Sequence, residues 1–184
     1  MERYNPSARA DRYGNRINRD HSPLRARSVP YISVLLGSLL PILVFSDSMP
    51  ILPPLGFLVL LCWRMMRPGL LPLWVGVPLG AFDDLFSGQP FGSAILLWSL
   101  TMIVLELMES RFPWRGFWQD WFTASFAIVL YLIAAMFVSG ATPTPYQFIA
   151  STPQLLLSVL LYPILARMVA RLDRFRLSRS RRIG

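Results

Sequence analysis

Residues 80–92 read GAFDDLFSGQPFG, and they join an apolar run that begins at Leu70 to a second that ends near Met108. Two adjacent acids, Asp83 and Asp84, stand in the join, with no basic residue within ten positions to pair with them. An ionised carboxylate in hydrocarbon costs about 2.5–3.5 kcal/mol on insertion scales. The stretch is therefore either a core turn of a soluble protein or a corner between two membrane helices, close to an interface. The rest of the chain decides between them.

Of 184 residues, 54% are hydrophobic and only 15% are charged, with a mean hydropathy of +0.46. A soluble domain of this size must cover its outside with polar groups and does not carry so much apolar surface. The apolar residues also come in blocks: Val29–Phe45, Ile51–Trp63, Leu70–Phe82, Phe91–Met108, Trp118–Val138 and Phe148–Ala166. These features predict an all-α integral membrane protein with six transmembrane helices. The second and third blocks are short for a hydrocarbon core of about 30 Å.

Charge tests the count. There is no lysine, and the 18 arginines fall as seven before residue 28, two in the 64–69 turn, two in the 109–117 turn and seven after residue 166. The connections around Asp47, Asp83–Asp84 and Ser139–Tyr146 hold none. Six spans place every arginine on one side, and the positive-inside rule makes that side the cytoplasm, with both termini in it. Residues 1–28 are expected to form a disordered arginine-rich tail, residues 29–166 the membrane domain, and residues 167–184 a basic amphipathic tail. In the last of these Met168, Val169, Leu172 and Phe175 recur at helical spacing opposite Arg167, Arg171 and Arg174. Both tails suit contact with anionic lipids. Without a recognition fold the charge does not point to nucleic acid.

Several chemistries drop out. Cys62 is the only cysteine and His21 the only histidine, so no intramolecular disulfide, histidine metal site or Ser-His-Asp triad can form in the membrane. Glu106 and Glu109, one helical turn apart, are expected to sit beside Arg111 and Arg115, a bilayer away from Asp84. No catalytic residue, cofactor or metal is expected. On this topology a helical path from Arg67 carries Asp83 and Asp84 about 24–26 Å, to the outer interface. The plain reading is a helix end and a solvated turn, with Ser87 and Gly88 as its cap and Pro90 opening the next helix. Three features suggest more. Gly76–Gly80 and Gly88–Gly92 are small-xxx-small pairs. Pro78 interrupts the third block. Asp84 and Ser87 face one way on a continuing turn, free to present a carboxylate to a partner.

The stretch resembles the signature of the MreD family of rod-shape determinants, a Gly-x-x-x-Asp-x-x-Ser-Gly-x-x-x-Gly pattern matched here by Gly80, Asp84, Ser87, Gly88 and Gly92. Asp83 stands where that family is usually apolar, so the family's acid is carried onto Asp84 alone. The resemblance implies a non-enzymatic inner-membrane scaffold of the cell-elongation machinery. Such a scaffold binds MreC and through it links MreB filaments to RodA and a penicillin-binding transpeptidase. It also implies a fold similar to the substrate-binding subunits of energy-coupling-factor transporters, which makes a vitamin-binding subunit the alternative. On the scaffold reading the five motif residues shape an assembly surface for MreC. Asp84→Ala should then weaken association and leave membrane insertion intact.

Overall fold

The computed structural model describes residues 23–44, 52–111, 116–140 and 144–177. The expected disordered tail up to residue 22, the Asp47 turn, Trp114 with Arg115, the centre of the 139–146 loop and the last seven residues lie outside them. Six α-helices are described: α1 (Pro23–Val44), α2 (Leu55–Met66), α3 (Gly76–Phe86), α4 (Ser93–Arg111), α5 (Phe117–Val138) and α6 (Pro145–Arg176). A 3-10 turn, Leu73–Val75, precedes α3. Four of them, α1, α4, α5 and α6, are long and apolar enough to cross a membrane. The protein is an all-helical, multi-pass membrane protein.

The packing explains why the second block is short. α1, α3, α4, α5 and α6 contact one another in a ring, and α2 packs against α1, α5 and α6 within it. Ten of the twelve α2 residues are buried, from Gly56 through Met65. A helix apolar on every side belongs inside protein, where length need not match the bilayer. At 12 residues α2 spans about 18 Å. Phe57 stacks on Tyr131 of α5 with ring centroids 4.0 Å apart and meets Trp98 of α4 at 6.2 Å. The Trp63 indole donates to the Ser33 hydroxyl of α1 at 2.8 Å. The outward faces of α4, α5 and α6, with Leu96, Leu100, Phe126 and Leu160, stay exposed as lipid-facing surfaces do.

The third block is not one helix from Leu70. The chain turns through Pro68 and Pro72, and α3 begins only at Gly76. Pro78 therefore lies in the first turn of α3, where a missing N–H costs nothing, and it interrupts no helix. The helical rise from Gly76 to Asp84 is about 12 Å, so the longer climb expected from Arg67 is not made as helix.

All arginine-bearing helix ends in the described residues meet at one end of the ring. Arg64, at the end of α2, bonds to both Glu106 and Glu109 of α4, the latter at 2.9 Å. These acids thus pair with a residue 42 and 45 positions away; of the two arginines expected beside them, Arg115 lies outside the described residues. Arg67 donates to Asp173 of α6 at 2.8 Å, and Arg176 reaches Asp173 at 2.7 Å. Arg176 also donates to the Ala26 carbonyl of α1 at 2.9 Å and lies 5.5 Å from the Trp63 ring centroid. Two helix boundaries follow from these contacts. α1 starts six residues before its apolar block, and α6 continues unbroken past Ala166 to Arg176, with Val169 and Asp173 buried. Met168, Phe175 and Arg167, Arg171 and Arg174 remain exposed along that extension.

Candidate functional site

At the opposite end of the ring, the corner between α3 and α4 contains the whole GAFDDLFSGQPFG stretch. α4 begins with Ser93 and has no acidic residue in its first turn to satisfy its free amides. Asp84 supplies that acid from the preceding helix. Its Oδ1 accepts from the Ala94 amide at 2.8 Å and the Ser93 hydroxyl at 3.0 Å. Its Oδ2 accepts from the Gly92 amide at 2.9 Å and the Ile95 amide at 3.2 Å. The residue is only 5% exposed. Four donors and the positive end of the α4 dipole replace the missing base. The acid tolerates this place because a helix N-terminus solvates it, not because water does.

The other motif residues build the same corner. Gly80 lies flat on α4: a Cβ there would sit 2.7 Å from the Ala94 carbonyl oxygen, and one on Gly76 would sit 2.9 Å from the Ser99 Cα. This pair acts as the small-xxx-small spacing suggests. Gly88 and Gly92 do not. Both have positive φ, +67° and +101°, and a Cβ on either would meet open space. They are turn glycines that end α3 and swing the chain back into α4. Ser87 is the C-terminal cap residue of α3, its amide bonded to the Asp83 carbonyl at 2.8 Å, and it is exposed.

The structure therefore brings Gly80, Asp84 and Gly92 together as one joint and leaves Ser87 and Gly88 on its surface. It does not turn Asp84 outward, so no carboxylate is presented from this position. What the corner does present is apolar: Leu85 is 68% and Phe91 71% exposed. Among the described residues no cluster of three or more acids, histidines or cysteines could hold a metal ion. The signal for the cap lay in α4 itself, a helix whose first turn lacks an acid just after a turn that supplies two.

Gly80→Ala tests the close approach. The added methyl would press on α4 backbone, which cannot move aside as a flexible side chain would. Overpacking of this kind costs about 1–3 kcal/mol. A lower unfolding midpoint in mild detergent is expected for Gly80→Ala and not for Gly116→Ala, where a Cβ meets nothing within 4 Å.

A family model described as rod shape-determining protein MreD matches residues 27–175. The chain belongs to the MreD family. The match runs from the first turns of α1 to the last turn of α6, so the family's extent takes in all six described helices. It also includes Arg67, Asp173 and Arg64, so the charged end belongs to the MreD unit as much as the α3–α4 corner does. No solved structure matches the chain.

Proposed function

We propose that this MreD-family protein is a non-enzymatic scaffold of the bacterial elongation machinery, crossing the inner membrane six times with both termini in the cytoplasm. It binds MreC directly and, through MreC, connects MreB filaments with RodA and a penicillin-binding transpeptidase. The family match over residues 27–175 carries this reading. The gathering of arginine-bearing helix ends at one end of the ring supports the orientation, because such residues stay on the cytoplasmic side. On this reading α2 and α3 cross as short helices shielded by their neighbours, and the arginine-rich tails rest on anionic lipid.

The α3–α4 corner is the docking place for MreC. A joint held by four hydrogen bonds to one carboxylate is preorganised, so little ordering entropy opposes binding there. Leu85, Phe86 and Phe91 give it the exposed apolar anchors that interface cores use. The experiment is a mild-detergent pull-down of tagged protein from its own host, comparing the natural chain with a Leu85→Ser/Phe91→Ser variant. MreC recovery should fall about tenfold or more, the loss of two buried anchors, while the unfolding midpoint stays unchanged. Full recovery of MreC with the variant would remove the corner from the interface. Absence of MreC from the natural chain's complex would remove the scaffold reading itself.

A further inference from the structure

The same end of the ring holds a cavity of about 480 Å³ that the scaffold reading leaves unused. It lies between the second half of α1, the start of α2, the end of α3, the end of α5 and the start of α6. Its volume is within the range of about 300–1,000 Å³ typical of small-molecule sites. Two observations mark it as more than a gap in packing. The Ser38 hydroxyl is buried, the residue only 7% exposed, and it lies against the Asp83 carboxylate, which borders the cavity. A carboxylate in such a wall, with no basic side chain among the described residues beside it, is costly unless a group of opposite charge enters to meet it. Gly56 of α2 keeps that corner open: a Cβ there would collide with the Ser38 oxygen and lie 3.2 Å from Asp83 Oδ1.

The lining determines the chemistry. Among the described residues Asp83 is its only charged one, and no arginine of the described residues lines it. Ser139, Ser151 and Gln154 add neutral hydrogen-bonding groups, and Ile42, Leu132 and Met136 an apolar wall. An anion would meet only like charge. Among the described residues a metal ion would find one carboxylate, where hard cations need six or more oxygens. We propose that the cavity binds a small organic cation, its ammonium group held by Asp83, whose carboxylate Ser38 positions, and its apolar body against Leu132 and Met136. The site is distinct from the Asp84 joint, although the two acids are neighbours in sequence. Asp84 faces α4, and Asp83 faces the cavity.

The test uses the full chain in detergent or nanodiscs, in amine-free buffer, titrated with n-hexylammonium, hexanoate or hexanol. One-to-one binding of hexylammonium, with a raised unfolding midpoint, is expected, and hexanoate should give neither. Asp83→Asn, nearly isosteric, should weaken hexylammonium binding about tenfold or more, as loss of a charge-assisted hydrogen bond does. Ser38→Ala should weaken it by a smaller factor, and it decides the matter if Asp83→Asn fails to fold. Equal stabilisation by hexanol or hexanoate would overturn the proposal in favour of nonspecific apolar filling. So would unaltered binding by the folded variants, or no binding of hexylammonium at millimolar concentration. MreC recovery does not enter the readout, so the scaffold reading stands or falls separately.

Discussion

Asp84→Ala is expected to destabilise the whole ring by about 3 kcal/mol, rather than to affect partner binding alone. The substitution strips the Gly92, Ala94 and Ile95 amides and the Ser93 hydroxyl of their common acceptor. Loss of a helix N-cap costs about 0.5–2 kcal/mol, and each hydrogen bond to a charged group is worth about 1.5–3 kcal/mol, contributions that do not add in full. The joint is buried, so water does not take over the acceptor's place. Asp84→Asn should fall between the natural chain and alanine, because its amide keeps one oxygen but turns an N–H toward the donors. Denaturant or thermal unfolding in mild detergent measures the difference. A midpoint for Asp84→Ala equal to that of the natural chain would show that the corner holds by its glycine contacts alone. On the scaffold reading proposed above, MreC recovery from Asp84→Ala should also drop, as a consequence of the broken joint.

Arg64→Ala should cost a similar amount, about 3 kcal/mol, for a different reason. Arg64 is only 1% exposed, and its partner Glu109 is largely buried, whereas Glu106 is half exposed. The substitution removes the bonds to both acids, and breaking a buried pair costs about 3–5 kcal/mol. The exposure of Glu106 puts the expected loss at the low end of that range. The double variant Arg64→Met/Glu109→Gln should recover much of it, since a buried ion pair exchanged for matched neutral groups is often close to neutral. A double-mutant cycle on unfolding midpoints reads the coupling directly. Additive losses from the two single changes would mean that the bond does not couple α2 to α4.

The blocks that became α4, α5 and α6 were legible because length and unbroken apolarity alone define a membrane helix. α2 was legible as an apolar segment but not as the centre. Its sequence records that all its sides are apolar, while only packing shows that protein rather than lipid surrounds it. For Glu106 and Glu109 the sequence points to nearby Arg111 and Arg115, because spacing reveals only neighbours a few positions away. Arg64, which bonds to both, comes from another helix, across a contact that spacing does not encode. The sequence spacing lets Asp84 face outward, whereas its carboxylate turns onto α4. A cap normally precedes its helix by one residue, whereas here the acid lies nine before Ser93 and reaches it through a turn set by two positive-φ glycines. Gly88–Gly92 has the same spacing as Gly76–Gly80, and only backbone conformation separates a turn from a packing face.

The bond from α2 to α4 also sets an order of events during synthesis. Arg64 leaves the ribosome 42 residues ahead of Glu106 and 45 ahead of Glu109. At about 5–20 residues per second, the nascent chain carries that arginine without its acids for several seconds. During this interval α2 is a twelve-residue helix with a charged end and no ring around it, poorly suited to lodge in lipid by itself. The first half of the protein is thus a provisional guest of the insertion machinery until α4 arrives, and chains ended before Glu106 are natural clients for membrane quality-control proteases.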